Sequence, residues 1–231
     1  MKIIKQIYNL CFRLKIQILW QLGNLIIKNP ELTDLNKQIN QGQIRRILIA
    51  ELNFIGDKLL ITPAIRALKN QYPNVKITVL SKDKISQSIL ENNPHIDDLE
   101  LATSFFRLLI FSLKSRGKYD LLIDFSANLY YAFLLNYAKI PYRLGTKPKQ
   151  KILGKPRDGF GWVYTHTKDF SNQMYLADYF LSLLEFLGIN NHDNRLEIFL
   201  KPNERLKVAE LLNKHQLKEK NYLILHPGVN D

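Results

Sequence analysis

"RRILIAELNFIGDKLLITPAIRAL", residues 45–68, sets the architecture of this chain. The opening "RRILIAEL" is a short apolar run of the kind found in a parallel sheet covered on both faces. It empties into a turn holding Gly56 and Asp57, and a helix-start signal, Thr62-Pro63, follows within a few residues. That signal is either a second cap with proline in the first helical turn or a kink within one longer helix.

The same alternation continues down the chain. "ITPAIRALKNQYP" predicts a helix stopped by Pro73, and "VKITVLS" a second strand. "ISQSILENNP" gives a short helix ended by Pro94, "IDDLELA" a third strand, and "FFRLLIFSLKSRG" a helix with Gly117 as its stop. "YDLLIDFS" is a fourth strand, followed by the helix "NLYYAFLLNYAKI". Parallel strands need crossover helices, so this repetition predicts an α/β fold with a Rossmann-like, doubly wound parallel sheet.

Beyond it, residues 142–170 read as a long loop rich in Gly, Pro and Lys with a strand-like "GWVYTHT". "NQMYLADYFLSLLEFLGI" is a long helix stopped by Gly188, "LEIFL" a strand, and "KPNERLKVAELLNKHQL" a helix. "NYLILHPGVND" is a strand running into a Pro-Gly turn, the way a new strand-turn-helix unit begins. The expected division is residues 1–44 (helix and linker), 45–218 (main domain) and 219–231 (first strand and turn of a second).

"MKIIKQIYNLCFRLKIQILWQLGNLIIKNP" carries Ile4, Ile7, Cys11, Leu14, Ile18, Leu22 and Leu25 on one helical stripe, with lysines and amides largely opposite. No run reaches the roughly 20 apolar residues of a membrane span. The segment also lacks the cleavage site of a secretory signal. It is a helix lying in an anionic membrane interface or one packed on the protein. Residues 29–44 read as a polar linker.

Lys and Arg outnumber Asp and Glu by 33 to 21, a net charge of +12, which favours an anionic partner. The single cysteine excludes an internal disulfide framework and a cysteine-based zinc site, and favours the cytoplasm. Basic residues are scattered and no nucleic-acid recognition motif is present, so nucleic acid is not expected.

In an open parallel sheet ligands bind at the carboxyl ends of the strands, which puts Asn53, Gly56 and Asp57 where chemistry is expected. The turn is neither a dinucleotide fingerprint nor a phosphate-binding P-loop, because it has one glycine and no Gly-Lys-Ser/Thr ending. Gly56 lets a ligand approach the backbone. Asp57 projects a carboxylate into the crevice or caps the following helix.

Those residues resemble a known family. "ILIAELNFIGDKLLITPAIRALKNQYPNVKITVL" is similar to the amino-terminal signature of the heptosyltransferase-type, family-nine glycosyltransferases, and "ENNPHIDDL", "YDLLIDFSANL", "IPYRLGT", "LLEFLGI" and "YLILHPGVND" follow in order. The resemblance implies the N-terminal, acceptor-binding half of a GT-B enzyme. Such an enzyme transfers a sugar, ADP-heptose being the family donor, to a lipopolysaccharide-core or other saccharide acceptor with inversion. It implies no metal or other cofactor, the nucleotide-sugar being a substrate.

By the same carry-over Asp57 is the general base. Arg143 in "YRLG" and His166 in "YTHT" match family positions, a solvated strand histidine being an equal reading of the latter. Arg66 and Lys58 are placed to meet acceptor phosphates or carboxylates, with a solvated surface role favoured for Lys58. Asp124 lines the crevice or caps a helix. The aromatic pairs Phe105-Phe106 and Tyr130-Tyr131 read as core. His226, Pro227 and Gly228 would begin the donor site, and the rest of a donor domain is missing, so the chain reads as an incomplete form. "FSAN" departs from the glutamine or glycine common in the family and leaves the acceptor open. A lipid-linked acceptor would place the protein at the inner face of the cytoplasmic membrane, held there by residues 1–30. The alternative is a non-catalytic, membrane-associated module that binds anionic glycolipid.

Overall fold

The computed structural model describes residues 34–126, 128–147, 163–170, 173–217 and 223. The N-terminal amphipathic segment, most of the Lys/Gly-rich loop and the His226-Pro227-Gly228 turn lie outside the described residues. Those described fall into two units, one ending at Ile198 and one beginning at Phe199.

The first unit is built on six parallel strands: β1 (Arg46–Ala50), β2 (Lys76–Ser81), β3 (Asp98–Leu101), β4 (Leu121–Asp124), β5 (Tyr142–Lys147) and β6 (His166–Asp169). Their spatial order is β3-β2-β1-β4-β5-β6. The order reverses between β1 and β4, and the carboxyl ends of those two strands flank the crevice where doubly wound sheets bind ligands. β1, β2 and β4 are buried almost throughout, as strands covered on both faces must be. β3 alternates exposed and half-buried residues because it is an edge, where Asp98 and Glu100 deter further pairing.

Alternate residues of each strand feed two cores. Ile47, Ile49, Ile77, Val79, Leu121, Ile123 and Phe125 face one side. Leu48, Ala50, Leu52, Leu80 and Leu122 face the other. The first side is covered by α1 (Leu35–Asn40), α3 (Thr62–Gln71), α7 (Leu176–Leu183) and the 3-10 turn Leu184–Leu187; the second by α5 (Phe105–Lys114) and α6 (Leu129–Leu135). Two shorter helices, α2 (Ile55–Leu60) and α4 (Lys84–Ser88), follow β1 and β2.

The structure differs from the sequence expectation at five places. Residues 29–44 were expected as linker, yet 35–40 form α1: Asp34 accepts the Lys37 N–H at 3.1 Å, and Leu35 and Ile39, one turn apart, are buried. α1 lies over the end of α7, where Gly188 adopts φ 75° and a Cβ would come within 2.5 Å of Asn36 Oδ1. "YRLGTK" was read as loop but is β5, its weak strand composition overridden by pairing with β4. β6 lies at His166–Asp169, later than "GWVYTHT" suggested. "LEIFL" forms no strand; Glu197 N–H instead donates to Thr62 Oγ1 at 3.0 Å. Phe106, expected in the core, is 72% exposed.

Thr62-Pro63 begins a second helix directly after the first, with Ile61 in helical conformation between them and Pro63 in the first turn of α3. In the second unit, α8 (Pro202–Lys214) matches the predicted helix; Glu204 accepts the Lys201 N–H at 2.7 Å to close its first turn.

Candidate active site

β1 ends at Ala50, and the next four residues carry the chain over the carboxyl edge into α2. Glu51 and Leu52 are still buried, Asn53 and Asp57 are half-buried, and Phe54, Ile55 and Gly56 are exposed. Asp57 is not the cap residue itself. It sits in the first turn of α2 and reaches back, its Oδ2 accepting the Phe54 N–H at 3.1 Å. Its Oδ1 makes no hydrogen bond among the described residues. An added Cβ at Gly56 would meet nothing within 4 Å among the described residues.

A buried ion pair lies beneath this turn. Lys58 Nζ stands 3.8 Å from Glu51 Oε1, and both side chains have no exposure. Lys58 Nζ also donates to the Glu51 carbonyl, and Glu51 Oε1 accepts the Asn53 N–H at 2.8 Å. Both ends of the turn are thereby tied to one carboxylate. Burial pushes the Glu51 carboxyl up to about 7, against the opposing charge of Lys58. Burial lowers Lys58 from its ordinary value, against the pull of Glu51 and Asp57. Glu51 Oε2 has no hydrogen-bond partner among the described residues.

On the other face, Asp124 closes β4 without any exposure. It accepts the Ser126 N–H at 2.9 Å, the Ser126 hydroxyl and the Tyr164 hydroxyl at 2.6 Å. Burial raises its pKa, opposed by those hydrogen bonds. Ser126 in turn accepts, at its carbonyl, the Asn53 amide at 2.9 Å, which joins the β4 end to the β1 turn. Gly145 on β5 is what lets Tyr164 reach Asp124, because a Cβ there would lie 2.4 Å from the tyrosine ring.

The geometry therefore joins Asn53 to Asp124 through Ser126 across the β1/β4 switch, with Gly56 and Asp57 in the same turn as Asn53. Asp124 neither lines the open crevice nor caps a helix; it is spent on Ser126 and Tyr164 under the crevice floor. Three other candidates are used by the fold. Arg66 pairs with Glu197 at 2.8 Å and Asp193 at 3.1 Å and donates to two backbone carbonyls, holding the 193–197 segment against α3. Arg143 is buried, donating to the carbonyls of Val163 and Ile140, each at 2.7 Å, and desolvation lowers it to about 10. His166 is buried beside Thr165 Oγ1 at 2.8 Å and edge-on to Phe186. Lys58, expected on the solvated surface, is wholly buried because Glu51 beneath it needs a counter-charge.

Sequence reasoning missed Glu51, Ser126 and Tyr164. A signal for Glu51 was present: a carboxylate at the end of a fully covered strand requires a partner, and Lys58 lies seven residues further on.

No protein-family model matches the chain. In sequence it is 35% identical over 96 residues to lipopolysaccharide heptosyltransferase 3 of Escherichia coli, an alignment covering 36% of this chain and 27% of that protein. In structure it is similar to the glycosyl transferase family 9 protein of Veillonella parvula, with a TM-score of 0.61 at 23% identity, over 83% of this chain and 53% of the other. It is also similar to E. coli ADP-heptose LPS heptosyltransferase II, with a TM-score of 0.56 at 13% identity, over 77% and 52% of the two chains. E. coli heptosyltransferase WaaC with ADP-2-deoxy-2-fluoro heptose gives 0.54 at 17%, over 66% and 51%. The chain spans about half the length of these solved structures and about a quarter of the curated relative aligns with it.

Fold and turn together define a Rossmann-like α/β chain with the fold of family-nine glycosyltransferases. In sequence, the likeness to a lipopolysaccharide heptosyltransferase over 96 residues is of the kind the ordered motifs implied.

Proposed function

We propose that this chain is the acceptor-binding half of an inverting, heptosyltransferase-like enzyme of GT-B architecture, with Asp57 as its general base. The observation that carries the reading is the Asp57 carboxylate in the turn that follows the carboxyl end of the central strand, its Oδ1 making no hydrogen bond among the described residues. In the reaction an acceptor hydroxyl attacks the anomeric carbon of the nucleotide-sugar. Asp57 takes the hydroxyl proton as the carbon–oxygen bond forms, and the nucleoside diphosphate departs with the electrons of the broken bond. The negative charge of Asp57 also faces the positive charge that develops at that carbon. Asn53 and Gly56 line the acceptor side.

The donor in this reading is ADP-heptose or a related nucleotide-sugar, bound by a second domain that begins within residues 219–231. The acceptor is a lipopolysaccharide-core or other lipid-linked saccharide, transfer needs no metal, and residues 1–30 hold the protein to the anionic inner face of the cytoplasmic membrane. Among the described residues no helix is long and apolar enough to cross a membrane.

The test is transfer from ADP-heptose to core saccharide by the protein carrying this sequence in its longest form, with Asp57→Asn as the control. Transfer lost in the variant supports the reading. Saccharide binding without turnover in any form would replace it with a binding module.

A further inference from the structure

α5 packs Phe105, Leu108, Leu109 and Phe111 against the core and carries a second apolar stripe on its outer side. Its buried side carries Leu108 and Ser112, whose hydroxyl bonds the Leu108 carbonyl at 2.8 Å, while its outer side carries Phe106, Ile110 and Leu113, exposed by 72, 51 and 43%. Positions 106, 110 and 113 fall on one helical stripe. Arg107 and Lys114, two turns apart, run along its flank, and Arg116 and Lys118 follow just past its end, all four exposed. No acidic residue interrupts the sequence between Glu100 and Asp120.

We propose that this stripe is a membrane-docking surface, on which α5 lies in the plane of an anionic bilayer with Phe106, Ile110 and Leu113 among the acyl chains and the flanking cations at the headgroups. A row of exposed large apolar side chains marks an interaction surface. The charge pattern chooses the occupant. A second copy of the chain laid on the stripe by two-fold symmetry would set these cations against one another. An anionic lipid surface meets them with opposite charge and accepts an apolar stripe without a shaped pocket. The helix is about 15 Å long, long enough to lie on a bilayer and too short to cross one. The inference depends neither on transfer chemistry nor on residues 1–30.

The test is flotation of the full chain with phosphatidylglycerol-containing vesicles and with pure phosphatidylcholine vesicles, at low and high salt. Expected are salt-sensitive binding to the anionic vesicles only, and about tenfold weaker binding in both F106S/I110S/L113S and R107Q/K114Q/K118Q, with circular dichroism unchanged. Every substituted side chain is exposed, and the charge variant retains the apolar stripe, so the two variants check each other for misfolding. Undiminished binding in both variants would place the contact elsewhere and overturn the proposal. Absent binding by the wild type, or equal binding to neutral vesicles, would do the same. A wild-type dimer that becomes monomeric in F106S/I110S/L113S would assign the stripe to a second copy instead.

Discussion

Lys58 Nζ lies 3.8 Å from Glu51 Oε1 with neither side chain exposed, and the turn bearing Asp57 is strung between the two residues. A charge pair out of water is held at a desolvation cost that its mutual attraction and hydrogen bonds must offset. Here the same groups fix the Asn53 N–H and the Glu51 carbonyl, so the energy of the pair is coupled to the shape of the turn.

Lys58→Met leaves a buried carboxylate without its counter-charge. The expected loss is about 3 kcal/mol of stability near pH 8. The loss shrinks toward pH 5, where Glu51 can take up a proton. The double variant Glu51→Leu/Lys58→Met should recover most of it, and urea denaturation of the three proteins at both pH values measures the coupling.

Glu51→Gln tests the raised pKa. The folded protein holds the Glu51 proton to about 7 against an ordinary 4.5, so it binds that proton more tightly than the unfolded chain. The stabilising effect of protonation is full below the unfolded value and is lost as pH rises through the folded one. Wild type should therefore lose up to about 3 kcal/mol relative to Glu51→Gln as pH rises from about 4.5 to about 7, on top of a pH-independent cost in the variant from leaving Lys58 without its counter-charge. Thermal melts across that range decide it; a constant difference would contradict the shift.

Gly145→Ala should be costly despite its size. The new Cβ would meet the Tyr164 ring at 2.4 Å, and that ring is held by its hydroxyl on Asp124. Overpacking of this kind costs about 1–3 kcal/mol. Chemical denaturation gives the value, and loss of the hydrogen bond should shift the Tyr164 ultraviolet absorption.

Gly56→Ala makes the opposite case. Nothing lies within 4 Å of the added methyl, and the residue is in the first turn of α2, so stability should be unchanged or rise by up to about 1 kcal/mol. If acceptor approaches over Gly56, KM for acceptor rises while the melting temperature does not fall.

Asp57→Asn retains an oxygen for the Phe54 N–H, so folding stability should change by less than about 1 kcal/mol. Transfer should fall by about 10²–10⁴-fold if Asp57 is the base. Steady-state rates with the melting curve of the same preparation separate the two effects.

Several elements were legible in the sequence. Of the four strands from "RRILIAEL" to "YDLLIDFS", three are marked by apolar runs and "IDDLELA" by alternation, and the helices between them by their stops, because these signals are local. α1 escaped notice because only Leu35 and Ile39 mark it in a polar stretch. β5 escaped because Gly145 and its polar neighbours suit a loop until Tyr164 and the β4 edge are present to occupy them. At the site the turn itself was legible, whereas the partners of Arg66, Arg143 and His166 were not, because they lie on Glu197, Val163 and Phe186 at other places in the chain.

What the amino-acid sequence determined by itself was the alternating α/β order, the turn with its carboxylate and the excess of positive charge, since periodicity, caps and composition are properties of neighbouring residues. Only the tertiary structure decided that β4 lies beside β1, that Lys58 is buried on Glu51, that Asp124 is held by Tyr164 from 40 residues away, and that Phe106 faces outward. The strand order and the Asp124–Tyr164 bond depend on partners distant along the chain, and whether a charge is buried or an apolar ring exposed is fixed by what the closed fold sets against it.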